Sequence, residues 1–278
     1  MEFRTVVQLP KPSFQIEPLS DLLFVGSCFA DSIGQRFREE RFPVTVNPYG
    51  TMYNPASVLH TVTRLKNEQW TTGSEQPPRV AFITLGTNHI YRLKETGEIV
   101  DNCEKRPQRL FQEEELSIDA CAAYLLQVVE QLHSVRADMQ VVLTVSPIRY
   151  QKYGFHASQL SKATLLLAVE KLISLSAQTQ PALVSYFPAY EIVLDELRDY
   201  RFYKEDMLHP SAQAVEYIWQ QLVAHYFSPR AQQFLKEWKP VKEALAHRPF
   251  HPESEEYQRF LQETKEKEAE LLTRFGKT

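Results

Sequence analysis

Two short stretches bring together residue types able to do nucleophilic chemistry. In Gly26-Ser27-Cys28-Phe29-Ala30, an apolar run, Leu22-Leu23-Phe24-Val25, stops at a glycine and two nucleophile-capable side chains come next. The second stretch is Asp206-Met207-Leu208-His209-Pro210. Three residues before a histidine in a turn, an aspartate can accept the imidazole Nδ1–H, which fixes the tautomer and leaves Nε2 as a base toward a nucleophile. Pro210 at the first position of a following helix puts His209 at a cap, on the surface rather than in the core. Ser27 and Cys28 compete as the nucleophile, since a helix N-terminus favours a thiolate and a serine is activated by a nearby histidine. Each residue also has a structural alternative: serine as a helix N-cap, and free cysteine as one of the most buried residue types.

The elements around these residues set where they sit. Asp31-Ser32-Ile33-Gly34-Gln35-Arg36-Phe37-Arg38 reads as the start of an amphipathic helix, so the first stretch is a buried strand, a sharp turn and a helix N-terminus. In α/β proteins ligands sit beyond the carboxyl ends of parallel strands, and a helix N-terminus offers unpaired N–H groups to an anionic intermediate. Further along, Phe42-Pro43-Val44-Thr45-Val46 alternates as a second strand, and Asn54-Pro55 opens a helix that runs to about Lys66. Arg79 to Gly86 reads as a third strand, Ile90 to Val100 as an inserted hairpin continued by Asp101-Asn102-Cys103, and Leu116 to Val135 as a helix. Met139 to Val145 and Ala182 to Phe187 complete the strands, with helices over about 157–177, Tyr190 to Leu197, and from Pro210 to about Tyr226. Alternating strands and helices predict an α/β fold, a three-layer α/β/α sandwich on a mostly parallel five-stranded sheet. Residues 1–227 form the main domain. Residues 228–278 form a helical extension, with Tyr257, Phe260, Leu261, Leu271, Leu272 and Phe275 spaced to pack on the domain or at a homo-oligomer interface.

Other positions could meet substrate. Arg149, in Ser146-Pro147-Ile148-Arg149 beyond the fourth strand, could bind a carboxylate or phosphate. Arg201 belongs to the charged, aromatic stretch Arg198 to Tyr203 just ahead of Asp206, which could orient that aspartate, contact substrate, or form a surface salt-bridge network.

Composition narrows the function classes. The chain has 278 residues, 43% of them hydrophobic and 24% charged, as in soluble globular proteins. A net charge of −4 argues against a nucleic-acid surface, and no apolar run approaches the ~20 residues needed to cross a membrane. Met1-Glu2-Phe3-Arg4-Thr5 lacks the features of a secretion signal, and Cys28, Cys103 and Cys121 form neither a disulfide framework nor a zinc spacing, so a cytoplasmic setting is expected. No H-E-x-x-H, C-x-x-C, P-loop or G-x-G-x-x-G occurs, so neither a metal nor a nucleotide cofactor is implied.

Several of these stretches together resemble the GSCFA family, grouped with the SGNH (GDSL-like) hydrolases. They are Gly26 to Ala30, Asn47-Pro48-Tyr49-Gly50 with Tyr53-Asn54-Pro55, Thr84-Leu85-Gly86-Thr87, Ser146 to Arg149, Tyr186-Phe187-Pro188 and Arg198 to Pro210, spanning about Leu22 to Phe227. The resemblance implies an SGNH-like, flavodoxin-like sandwich. Read without a gap against the strand followed by G-D-S, Cys28 falls on the nucleophilic serine; shifted by one, Ser27 does. Gly86-Thr87-Asn88 matches the G-x-N whose asparagine completes an oxyanion hole, and Gly50 could stand for the glycine that donates its N–H there. His89 departs from the aspartate usual at its position and becomes a candidate substrate contact. As to activity, the resemblance implies an esterase or acyl transferase on a small-molecule or O-acylated carbohydrate ester. Two other outcomes stay open: a non-catalytic module that kept the cleft to bind a glycan or another ligand, and an assembly protein.

Overall fold

The architecture is set by three runs of residues that are buried on both faces, the central strands of a five-stranded sheet. A computed structural model describes residues 4–101, 103, 106–179 and 183–276. Strands β1 (Leu22–Gly26), β2 (Val44–Val46) and β3 (Val80–Leu85) are the first three in the main sheet. Every residue of β1 and β3 is buried, as a parallel strand covered on both sides requires. Helix α1 (Cys28–Glu39) returns the chain from β1 to β2, and α2 (Pro55–Leu65) leads from β2 toward β3. The Asn54-Pro55 start is as the sequence indicates: Asn54 Oδ1 accepts the Ser57 N–H at 2.9 Å.

After β3 comes an insertion, β4 (His89–Leu93), β5 (Ile99–Val100) and β6 (Phe111–Glu115), a separate three-stranded sheet in the order β5-β4-β6. The sequence indicates a hairpin here; β6 adds a third strand through antiparallel pairing of His89 to Leu93 with Glu115 to Phe111. Helix α3 (Ile118–Val135) then leads to β7 (Gln140–Val145), α4 (Gly154–Thr179) and β8 (Val184–Tyr186). Asn102 and Ala182, at the ends of the expected hairpin and fifth strand, lie outside the described residues. The main sheet is wholly parallel in the order β2-β1-β3-β7-β8. That is the flavodoxin-like order, with its switch point between β1 and β3.

Alternation along the strands feeds two cores. Leu22 and Phe24 join one with Phe37, Phe82, Trp219 and Phe227, while Leu23 and Val25 face Val62, Leu125 and Leu172 on α2, α3 and α4. The first core is held by rings: Phe24 stacks on Phe82 at 4.6 Å, and Phe37 meets Trp219 edge-on at 4.8 Å. It is closed by α5 (Ala189–Glu191), α6 (Ala212–Tyr226) and α7 (Pro229–Leu245), making the three layers. Helix α8 (Glu255–Gly276) lies on α7 and buries Leu271 and Phe275 in the same core. Phe234, Trp238 and Val241 of α7 are buried there too, and Trp238 Nε1 donates to the Glu39 carbonyl at 3.1 Å. No described helix is long and apolar enough to cross a membrane.

Candidate active site

The turn after β1 is built so that no other residue type fits its first position. Gly26 has φ +146°, and a Cβ there would overlap the carbonyl oxygen of Thr84 on the adjoining strand. Its N–H donates to Asn47 Oδ1 at 2.9 Å, and Asn47 Nδ2 in turn donates to Asp31 Oδ1 at 2.8 Å. Asp31, in the first turn of α1, thereby ties the end of β2 to the turn.

The structure separates the two nucleophile candidates. Ser27 is 0% exposed and is the N-cap of α1, its Oγ accepting the Phe29 N–H. Cys28 is the first helical residue, three positions earlier than the Asp31 start expected from sequence, and is half-buried. Its Sγ lies 3.6 Å from the Tyr53 hydroxyl. As the first residue of the helix it has no intrahelical acceptor for its backbone N–H.

The Asp206–His209 pair is formed as read. Asp206 Oδ2 is 2.6 Å from His209 Nδ1, and Oδ1 accepts the N–H groups of Leu208 and His209 at 2.8 and 2.9 Å. These backbone donors, together with the imidazole, hold the aspartate down to about 2. The loop is fixed to the segment beyond β7, where the Arg149 N–H donates to the Leu208 carbonyl and Arg149 Nη1 to that of Met207. Among the described residues, no hydrogen bond joins His209 Nε2 to Ser27 or Cys28.

Each expected oxyanion donor makes a hydrogen bond within the fold. The Gly50 N–H closes a turn onto the Asn47 carbonyl at 2.9 Å, and the Gly86 N–H donates to the Tyr53 carbonyl at 2.8 Å. Asn88 turns its carboxamide nitrogen to the Leu116 carbonyl at 2.8 Å. At Gly86, a Cβ would overlap the hydroxyl of Tyr150.

Two groups here belong to none of the motifs in the sequence. Lys162 is buried on the inner side of α4, donating to the carbonyls of Gly86 and Ser146 at 2.6 and 2.7 Å. Burial pushes its ammonium down to about 7. Tyr150 has a buried hydroxyl without a partner among the described residues, and burial drives its pKa well above the usual phenol value.

The inserted sheet makes one wall of a cleft of about 430 Å³ whose lining includes Tyr53, His89, Tyr91, Glu113, Lys152 and Tyr153. His89 lies in this wall, stacked on Tyr153 at 3.8 Å with Nδ1 3.1 Å from Glu113 Oε1. Tyr53, which both lines the cleft and touches Cys28, links the two. Arg149 lines a second cavity of about 530 Å³ beside Tyr190, Tyr200 and Tyr203, its guanidinium 4.1 Å from the Phe155 ring centroid. Arg201 belongs to neither of these; its guanidinium lies over Phe202, and its N–H bonds Asp199.

Similar solved structures include a carbohydrate esterase family 3 protein from Talaromyces cellulolyticus, at 9% identity and TM-score 0.42, covering 78% of this chain and 98% of that one. A GDSL-like lipase from Bacteroides thetaiotaomicron VPI-5482 is 12% identical with TM-score 0.44, covering 78% and 88%. A family two carbohydrate esterase from Clostridium thermocellum, solved in complex with cellohexaose, is 11% identical with TM-score 0.44, covering 79% and 66%. A search of curated proteins gives no significant match. The family comparison reaches further: the model of the GSCFA family matches residues 21–77 and 71–222, and that of the GSCFA domain protein C-terminal domain matches 238–277. With the turn, the strand ends and the His209 loop all inside the matched span, the chain belongs to the GSCFA family.

Proposed function

We propose that the protein is an acyl-ester hydrolase or acyl transferase with Cys28 as nucleophile, His209 as general base and acid, and Asp206 as the residue that orients it. The observation that carries this is the contrast at the turn. Ser27 is fully buried and spends its Oγ on capping α1, whereas Cys28 is half-buried at the sheet's switch point with its Sγ directed to a cleft residue.

In the proposed reaction the Cys28 thiol gives its proton to His209 Nε2 and the sulfur adds to the acyl carbon. The carbonyl π pair moves to oxygen, and that oxyanion meets the Cys28 N–H at the positive end of α1. Collapse of the adduct breaks the bond to the leaving alcohol, which takes the proton from His209. Water or an acceptor hydroxyl then resolves the thioester, with His209 again as base. For substrate we propose a neutral O-acylated carbohydrate. The cleft is lined by Tyr91, Tyr153 and Phe111, and its Asp101 and Glu113 balance Arg106 and Lys152. Such a lining suits a polyhydroxyl ring better than an anion.

One observation favours a second reading, a binding module that keeps the cleft without turnover: His209 Nε2 makes no hydrogen bond to Cys28. Hydrolysis of p-nitrophenyl acetate by wild type, Ser27→Ala, Cys28→Ala and His209→Ala, each checked for folding by circular dichroism, separates the two. Turnover abolished by Cys28→Ala and by His209→Ala but retained by Ser27→Ala is the expected result. A folded wild type with no turnover above background contradicts the enzyme.

A further inference from the structure

Tyr150 carries a buried hydrogen-bond donor with no acceptor among the described residues. Its ring borders the cleft, while its hydroxyl oxygen is buried and makes no hydrogen bond among the described residues. Burial keeps the phenol in its O–H form. Unpartnered buried polar groups are rare enough to call for an explanation.

The surroundings of that hydroxyl supply one. It abuts Gly86 at the end of β3, where only the absence of a Cβ leaves room for it. The Tyr150 ring packs edge-on against Tyr53 at 5.9 Å, and the Tyr53 hydroxyl is 3.6 Å from Cys28 Sγ. On the other flank, Arg149, the preceding residue, receives the His209 loop through its N–H bond to Leu208. The Tyr150 backbone is itself pinned, its N–H donating to Ser158 Oγ at 3.2 Å, and its ring stacks on Tyr153 at 6.3 Å. The Tyr150 O–H is thus linked to the candidate nucleophile through Tyr53, and its chain neighbour Arg149 holds the loop of the candidate base. Meanwhile the N–H groups of Gly50 and Gly86 are committed to the carbonyls of Asn47 and Tyr53, and one of the two Asn88 carboxamide N–H groups to that of Leu116.

We propose that Tyr150 is a catalytic residue whose hydroxyl donates to the substrate's carbonyl oxygen as it becomes an oxyanion, alongside the Cys28 N–H. This role rests on the acyl-transfer chemistry proposed for Cys28. When the Cys28 sulfur bonds to the acyl carbon and the C=O π pair passes to oxygen, Tyr150 gives that oxygen a hydrogen bond and keeps its proton. When the pair returns and the bond to the alcohol breaks, the interaction weakens again. The donor is thus used most in the transition state, where it lowers the barrier rather than merely tightening ground-state binding.

The test compares wild type with Tyr150→Phe, which removes one oxygen and keeps the ring. Two readouts are taken: steady-state hydrolysis of p-nitrophenyl acetate, and the rate of Cys28 alkylation by iodoacetamide, a displacement that forms no oxyanion. The expected result is a fall in kcat of roughly 10²-fold with KM little changed and the alkylation rate at the wild-type value. A kcat within twofold of wild type overturns the role of Tyr150 alone. Equal losses in kcat and alkylation also overturn it, since they mark a disturbed Cys28. A wild type that is alkylated but never turns over overturns the acyl-transfer chemistry and this role with it.

Discussion

Replacing Lys162 by methionine isolates the energetic cost of holding an amine beneath the sheet ends. Among the described residues the ammonium reaches only two carbonyls, those of Gly86 and Ser146, and burial pushes it from 10.5 down to about 7. The folded-state value lies below the unfolded one, so between the two the unfolded chain binds more protons and stability rises with pH. That gain begins near pH 7 and is complete above about 10.5; below 7 this group contributes no slope. The full difference is worth about 5 kcal/mol, of which about 3 kcal/mol appears between pH 7 and roughly pH 9.5. Lys162→Met abolishes the slope but leaves two buried carbonyls without a donor, at about 1–3 kcal/mol each. At pH 7 these effects offset one another and the variant should lie close to wild type. Toward pH 9.5 wild type gains what the variant cannot, and the gap should widen by about 3 kcal/mol. Urea unfolding of both proteins across this range measures it, and other titrating groups cancel in the difference. Curves of stability against pH that run parallel within about 0.5 kcal/mol would overturn this expectation, because they would mean the amine's protonation is the same in both states.

Three further perturbations test other joints of the structure. Gly26→Ala forces a Cβ into the Thr84 carbonyl at φ +146°, and should cost about 3 kcal/mol or more in a thermal or urea melt. Asp206→Asn should lower kcat by roughly 10²–10⁴-fold through the wrong imidazole tautomer while stability changes little. Because the carboxyl is held down to about 2, wild-type activity should not lose this residue's charge until pH falls toward that value, so the acid limb of the rate profile above roughly pH 4 belongs to another group. Trp238→Ala on α7 removes a fully buried indole from the core shared with Phe42 and Phe234, and should destabilise the protein by about 3–5 kcal/mol in urea.

How much of the structure is legible in the sequence depends on the range of the interactions. β1, β3 and β7 are legible because burial on both faces leaves continuous apolar runs, and Asn54-Pro55 because a cap is a local hydrogen bond. The pair Asp206–His209 is local too, and its hydrogen bond is as read, although the next helix starts at Ala212 with Ser211 as its cap rather than at Pro210, which instead bridges Tyr203. β6 is not legible: of Phe111-Gln112-Glu113-Glu114-Glu115 only the phenylalanine is buried, and acidic residues are poor strand formers until β4 supplies a partner. The amphipathic pattern from Asp31 misses the first three residues of α1, which starts at Cys28 behind the Ser27 cap, and Asp31 sits inside the first turn to hold Asn47. Asn88 matches an oxyanion motif, yet its amide is claimed by Leu116, a residue 28 positions away. Lys162 and Tyr150 are invisible for the same reason, since their partners or neighbours lie on other strands. A trace of them exists in Ser158, Ser161 and Lys162, which are polar residues on the buried side of α4.

Whether Cys28 carries the acyl group is settled most directly by acid-quenched mass spectrometry of the protein mixed with p-nitrophenyl acetate, followed by peptide mapping. One acetyl group is expected on the peptide containing Cys28, labile to hydroxylamine as a thioester is and absent from Cys28→Ala. An acetyl group on Ser27, or a Cys28→Ala protein that hydrolyses the ester at the wild-type rate, would contradict the assignment.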